Sequence, residues 1–419
     1  MAVSIQNYLK KLRSLPRLKL RIWFICINTF ILVAITILLQ YTSTITSDEA
    51  GFLKWYTLIR NHLFGLDEKP LGDSVVFLDV SKDLSLQEDD SYGGIAPLHG
   101  AQNVITDRHK LAALFSILNE HPQDYRFVLC DVLFDQPSDD DTLLQPQIEQ
   151  LKRVVVSAVI DEHDSLITPV FHVPFGVVNY YLQNGSSFSR MLLNYKDTIK
   201  TLPAYMLEQT TNYKVGRKGF YTTLNGRPAF NSIIPQFYYR PSDMRRTVGQ
   251  GQPNCYYLGE ILNDADCFEH YLKNKYIVIG NFTTDRHNTY LGSFPGSLIL
   301  LNVFLTLQKQ SVIITAWWLL FLWISYCILN YFIMIHPRGA QQLITKKVQK
   351  PLLQQWLLHY VNYILFLIII NMLCLAWFNH FLSIFYIATY LTTVDTIIEK
   401  WDDISHFRVI KLLLKTKKQ

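Results

Sequence analysis

Six side chains in the middle of this 419-residue chain are of the kinds that bind and react: Asp79, Arg108, Asp131, Asp135, Asp285 and His287. The aspartates close or follow continuous apolar runs: SVVFLDV at 74–80, FVLCDV at 127–132, and YIVIG at 276–280 with its loop on to Gly296. Runs without polar alternation suit strands covered on both faces. Ligands of parallel α/β sheets collect beyond the carboxyl ends of such strands. Three strands delivering carboxylates to one rim would suit a hard cation or a cationic ligand. With Arg108 at the start of the first helix, an anion at that helix N-terminus is an equal alternative. A third reading is a salt-bridged rim that caps helices, braces loops and binds nothing.

Catalytic chemistry finds little support. Thr-Asp-Arg-His occurs twice, at 106–109 and 284–287. A hydrolytic zinc centre wants three fixed ligands, commonly two on one element as in His-x-x-x-His, and that spacing does not occur. Asp139-Asp140-Asp141 lacks the alternation of a calcium loop and reads as a solvated helix start. There is no Gly-x-Ser-x-Gly elbow, Walker loop or Cys-x-x-Cys. The expectation is therefore no catalytic residue, no metal and no cofactor, with a metal-dependent ectoenzyme the least favoured class. Cys255 and Cys267 could pair in an oxidising compartment, but one bridge is not a disulfide framework.

The elements that must hold the rim can be read in order. A juxtamembrane helix is expected over Thr46–Leu66, with Phe52, Trp55, Ile59 and Leu63 on one face. After the strand at 74–80, an acidic glycine-bearing loop fills 81–106. Thr106 is the expected N-cap of a helix whose buried stripe is Leu111, Leu114, Phe115 and Leu118. Strand 127–132, a helix capped by Ser138 to Asp141, and strand 153–160 (RVVVSAVI) follow. That alternation argues for a parallel sheet with right-handed crossovers. Residues 176–182 and 187–193 read as a hairpin around Asn184-Gly185. A helix over 202–210 and a second turn at Asn225-Gly226 come next, and the tyrosine- and arginine-rich 236–256 shows no clear pattern. Strand 276–280 and an apolar helix over 297–308 complete an α/β domain, mostly parallel sheet with helices and β-hairpin insertions.

Composition places this domain beside a membrane. Hydrophobic residues make up 49 % of the chain and charged residues 17 %, below the usual quarter. The excess lies in runs at 22–40, 312–335, 356–378 and a weaker one at 381–398, so about four transmembrane helices are expected. The first is read as an uncleaved anchor, since its apolar stretch exceeds that of a signal peptide. His359, Asn362 and Asn371 inside these runs suit helix-to-helix hydrogen bonds. The first 21 residues hold six Lys and Arg and no acid, and the loop 336–355 holds four basic residues and no acid. Basic flanks stay cytoplasmic. That rule puts 1–21, 336–355 and the tail 399–419 inside, and 41–311 on the extracytoplasmic side, in a bacterial inner membrane. The large domain is acidic, which argues against nucleic acid as a partner.

Taken in order, several stretches resemble the second type of CHASE domain, a sensory extracytoplasmic domain of bacterial cyclases and histidine kinases. They are SVVFLDVSKDLSL at 74–86, ITDRHKLAALFSIL at 105–118, FVLCDVLFDQPSDDDTLL at 127–144, GVVNYYLQNGSSFSR at 176–190 and KYIVIGNFTTDRHNTYLGSFPGSLILLN at 275–302. One helix before the domain and three after match that family's arrangement. The resemblance implies a sensor for an extracytoplasmic ligand. Family members carry a cytoplasmic output domain after the last span. Here about 20 residues follow Ile398, too few for a catalytic fold, so the sensor is expected to pass its state to a separate cytoplasmic or membrane partner. Two helices leaving one compact domain would suit a homodimer. The alternative is a structural scaffold subunit of a membrane complex.

Overall fold

The computed structural model describes residues 17–41, 48–60, 69–87, 103–183, 187–195, 199–219, 221–246, 252–335 and 352–398. The chain divides into two units, Ala50–Ile313 and a second joining Met1–Glu49 to Ile314–Gln419. The basic flanks 1–16, 336–351 and 399–419, on which the expected orientation rests, lie outside the described residues, as does the acidic segment 88–102.

In the first unit the strands that matter run, in chain order, β1 (Val75–Asp79), β2 (Phe127–Leu133), β3 (Val154–Ile160), β4 (Leu166–Ile167), β5 (Phe175–Val177), β6 (Tyr180–Gln183), β7 (Ser187–Leu192), β8 (Cys255–Tyr257), β9 (Tyr276–Gly280), β10 (Arg286–Thr289) and β11 (Gly292–Pro295). The helices are α1 (Arg108–Glu120), α2 (Asp141–Gln150), α3 (Leu202–Thr210) and α4 (Gly296–Gln308). The main sheet has the order β8-β1-β9-β2-β3-β4, with β5 also alongside β3. Every pairing in it is parallel except β3 with β4.

The continuous apolar runs are explained by burial on both faces. Val76, Leu78, Val128, Cys130, Ile277 and Ile279 pack with Leu111, Phe115 and Leu118 of α1 and with Leu144 and Ile148 of α2. Phe77, Leu129 and Val278 are equally buried; successive strand side chains point to opposite faces. α4 packs on β9, β2 and α3. It is buried on every side from Gly296 to Leu307, as a helix apolar all round must be. Its polar members are satisfied: Asn302 exchanges hydrogen bonds with the Tyr239 backbone (2.9 and 2.8 Å), and Thr306 accepts the Gln236 N–H at 2.8 Å.

A smaller sheet runs Ser232–Ile233, β7, β10, β11, with β6 paired to β7. The β6–β7 pairing bears out the hairpin expected around Asn184-Gly185, whose turn lies outside the described residues. At Asn225-Gly226 both residues have positive φ, 52° and 74°, as a two-residue turn of this hand demands.

Several local expectations need correction. Thr106 does not cap α1; it ends a strand paired with Leu84–Gln87. Asp107 is the cap, accepting the Lys110 N–H at 3.1 Å. Over the described part of the juxtamembrane helix, Asp48–Leu58, the buried positions are Leu53 and Thr57, while Trp55 is 64 % exposed. Gly176 and Val177 belong to the main sheet and not to the hairpin. The apolar run at 312–335 starts too early for a span. Val312 accepts the Phe230 N–H and Ile313 bridges Ala229, so both are part of the globular unit. Cys255 and Cys267 are buried free thiols.

Among its described residues the second unit holds three helices long and apolar enough to cross a membrane, Ile22–Gln40, Ala316–Ile333 and Tyr360–Phe378, consistent with a multi-pass membrane protein. Among the described residues, which end at Ile398, the fourth apolar run is helical from Ile384 on. Buried polar side chains link these helices. Asn28 donates to Asn330 at 2.5 Å, Asn330 to Thr29 at 2.9 Å, and Tyr363 to Asp395 at 2.8 Å. Asn371 accepts the Leu382 N–H at 2.8 Å.

Candidate functional site

At the carboxyl edge of the main sheet, between it and the smaller sheet, lies a cavity of about 480 Å³, within the usual range of small-molecule sites. Four of the six residues singled out in the sequence line it: Asp131, Asp135, Asp285 and His287. Their placement follows from local backbone features.

Asp131 sits where β2 and β3 lose register. Cys130 pairs with Val156, but the next pair is Leu133 with Ser157. A bulge of this kind re-aims a side chain and recurs beside functional sites. The Asp131 carboxylate accepts Ser157 Oγ on one oxygen (2.7 Å) and Ser297 Oγ on the other (2.9 Å). Ser297 reaches it because Gly280, the last residue of β9, has no side chain. A Cβ there would lie 1.8 Å from Ser297 Oγ.

Asp285 and His287 stand at the start of β10. His287 Nε2 is 2.9 Å from Asp285 Oδ1, and its Nδ1 is 2.5 Å from the Tyr180 hydroxyl on β6. The Gly296 N–H holds the Asp285 carbonyl at 3.1 Å. Among the described residues no hydrogen-bond donor meets the second oxygen, Asp285 Oδ2. Asp135 is exposed at the opening. Most of the rest of the wall is apolar, notably Val132, Phe188, Met191, Ile299 and Leu300, with Thr106, Gln136 and Asn281 among its polar members.

Electrostatics sets the two central groups apart. Burial lifts the Asp131 carboxyl to about 6; the serine hydroxyls and His287 oppose that rise and the neighbouring Asp285 charge adds to it. His287 is raised above its ordinary value chiefly by its hydrogen bond to Asp285, against the opposing effect of burial.

Asp79 and Arg108 are committed elsewhere. Asp79 is wholly buried and accepts the N–H groups of Ser81 (2.9 Å) and Phe282 (3.2 Å), the Thr283 hydroxyl (3.1 Å) and the Arg246 guanidinium. Burial pushes its carboxyl up, but Arg246 and Ser81 outweigh that and hold it below the ordinary value. Arg108, 2 % exposed, pairs with Asp141, donates to the Gln136 carbonyl and lies over the Phe134 and Phe171 rings. Neither lines the cavity. The two Thr-Asp-Arg-His copies thus part company, since Asp107 caps a helix while Asp285 and His287 share the cavity. No group of three His, Cys, Asp or Glu placed to hold a metal ion occurs among the described residues.

Tyr180, Ser157 and Ser297 complete the cluster and are not evident from the sequence. Ser157 leaves one trace, as a lone polar residue inside RVVVSAVI.

Asp131 carries a measurable signature. Its unfolded value is 3.8 and its folded value about 6. Between those values the folded state holds a proton that the unfolded state has lost, so stability falls as pH rises through that window. The loss amounts to roughly 3 kcal/mol at most, complete above about pH 6. Asp131→Asn is expected to abolish this slope and to be the more stable form at pH 7.5. Amide exchange over β2 and β9 at pH 4.5 and 7.5 reads it, and an unchanged slope in the variant would assign the effect to another group.

The chain matches no protein-family model, no curated protein and no solved structure in comparisons made at the level of sequence and of fold.

Proposed function

We propose that this protein is a membrane-anchored sensor whose globular unit lies on the extracytoplasmic side of a bacterial inner membrane and binds a small ligand in the 480 Å³ cavity. In this reading it passes its state to a separate partner protein and performs no catalysis itself. The resemblance to the second type of CHASE domain and the basic flanks point the same way. The observation that carries the reading is the position of α4. This helix lines the cavity with Gly296, Ile299 and Leu300 and donates Ser297 to Asp131. After Gln308 only seven residues precede the apolar helix that starts at Ala316. A ligand that displaces or tightens the Asp131–Ser297 contact therefore acts directly on a fully buried helix covalently continuous with a candidate span. Packed helices shift as units, because close-packed interiors are not continuously deformable.

Filling the cavity tests this. Leu300 is 4 % exposed, and Leu300→Trp is expected to occupy the space, alter amide exchange along α4 and change how much partner protein co-purifies with the full chain from its membrane. Exchange over β1 and β3 should stay at the wild-type level, reporting an intact sheet. A filled cavity that leaves partner recovery unchanged would sink the sensor and favour the structural scaffold. Orientation is checked separately by an impermeant maleimide. Single cysteines placed in 69–87 should react from outside intact spheroplasts, and one in 336–351 only after permeabilisation.

A further inference from the structure

The chemistry of the cavity narrows what it can hold, an inference that rests on the sensor reading above. Three carboxylates, Asp131, Asp135 and Asp285, face one imidazole, His287, and no Lys or Arg is among the described residues that line it. An anionic ligand would meet uncompensated negative charge in a partly desolvated space, where Coulomb interactions are strong. A hard metal ion is a poor fit for a different reason. It needs six or more oxygens, whereas no three His, Cys, Asp or Glu among the described residues are grouped so as to hold one.

An ammonium group asks for less. It has three donors and needs only two or three acceptors. Asp285 Oδ2 offers a carboxylate oxygen without a donor among the described residues, and Asp131 retains further lone pairs. The Tyr180 and Phe188 rings, packed at 5.1 Å with an interplanar angle of 59°, both line the cavity and add aromatic surface of the kind that attracts cations. Thr106, Gln136 and Asn281 also line it, and aliphatic side chains from Val132 and Met191 to Ile299 and Leu300 supply most of the remaining wall. Carboxylates and a broad aliphatic surface in one cavity suit a ligand with a cationic group and an apolar body.

We propose that the cavity binds a monocationic amine with an apolar body, its ammonium held between Asp131 and Asp285 and its body against α4 and β7. His287 is a positioning residue here, clamped by Tyr180 so that Asp285 keeps one oxygen turned to the ligand.

Three probes of one skeleton and different charge test the assignment: 4-phenylbutylamine, 4-phenylbutanol and 4-phenylbutyrate. They would be titrated calorimetrically at pH 7.5 into the full chain in lipid nanodiscs, with empty nanodiscs as the blank. The amine is expected to bind at least tenfold more tightly than the alcohol, and the carboxylate more weakly still. Asp131→Asn should reduce amine affinity at least tenfold and bring it level with the alcohol. Leu300→Trp should remove binding of all three.

If the carboxylate binds as well as the amine, the cationic class is wrong while a ligand-binding cavity stands. If all three bind and Leu300→Trp leaves them bound, they occupy another site and the assignment fails. If none binds the wild-type chain, this ligand class is overturned, and the partner-recovery experiment with Leu300→Trp then judges the sensor reading independently.

Discussion

A chain carrying Asp79→Ala should lose about 3 kcal/mol of stability in its globular unit, the lower end of what breaking a buried ion pair by removing one partner entails. The lower end applies because the Arg246 side chain is a third exposed and can recover some hydration. The damage extends past the ion pair. The N–H groups of Ser81 and Phe282 and the Thr283 hydroxyl all donate to the same carboxylate, and buried donors left without an acceptor carry their own desolvation penalty. These donors tie the end of β1 to the loop after β9, so the loss should appear as faster amide exchange across both strands in the intact, membrane-embedded protein. Asp79→Asn should fall between the two, since the amide nitrogen cannot accept the N–H groups that a carboxylate oxygen holds. The pH dependence has a definite sign. The folded carboxyl lies below its ordinary value, so its stabilisation is present above about pH 4 and fades as pH falls through the lower folded value. A change under 1 kcal/mol would show that the network is replaceable by water.

The contrast with Asp131 separates two carboxylates that look alike in sequence. Each follows a run of apolar residues, Asp79 at the end of β1 and Asp131 within β2, and the two strands flank β9 in the sheet. Removing Asp79 should destabilise the fold, whereas replacing Asp131 by Asn should stabilise it at neutral pH. A group retained at a cost to stability is the expected mark of a binding site, while a fully bonded one belongs to the scaffold.

The scaffold was legible because its signals are local. SVVFLDV, FVLCDV, RVVVSAVI and YIVIG each announce a covered strand, and the helices between them show their stripes within one or two turns. The carboxyl-edge rule then brings Asp131, Asp135 and Asp285 together without coordinates. What could not be read is the part made by distant pairing. The cavity's second wall depends on Thr289 pairing with Phe188, a contact about a hundred residues apart in sequence with no periodicity to betray it. The edge strand β8 is three residues of Cys and Tyr, too short for a pattern, and Arg246 lies nine residues before its start. Without Arg246 in view, Asp79 could not be told from a ligand group. The bulge that aims Asp131 is likewise a property of two strands together, absent from either one.

Gly280 shows how tightly the site is built into this sheet, and Gly280→Ala is the second substitution from which a large effect is expected. The added methyl would lie 1.8 Å from Ser297 Oγ and 2.9 Å from Ser297 Cβ. Rotating the serine relieves the first contact but not the second, so α4 must move off β9. Overpacking of this kind typically costs about 1–3 kcal/mol, and a helix buried on every side has little room to yield. The Ser297–Asp131 hydrogen bond should be lost in the same step, leaving Asp131 with Ser157 as its one remaining hydroxyl donor. Pairing the change with Ser297→Gly removes both clashing atoms. The double variant is expected to regain most of the sheet's protection against amide exchange, yet still lack the contact that joins Asp131 to α4. Under the proposed sensor reading, fold and coupling would then come apart in one protein: a sheet near wild type in stability, without the contact that links the cavity to α4. If the single variant is as stable as wild type, α4 sits further from β9 than this packing requires, and the route from the cavity to α4 loses its first link.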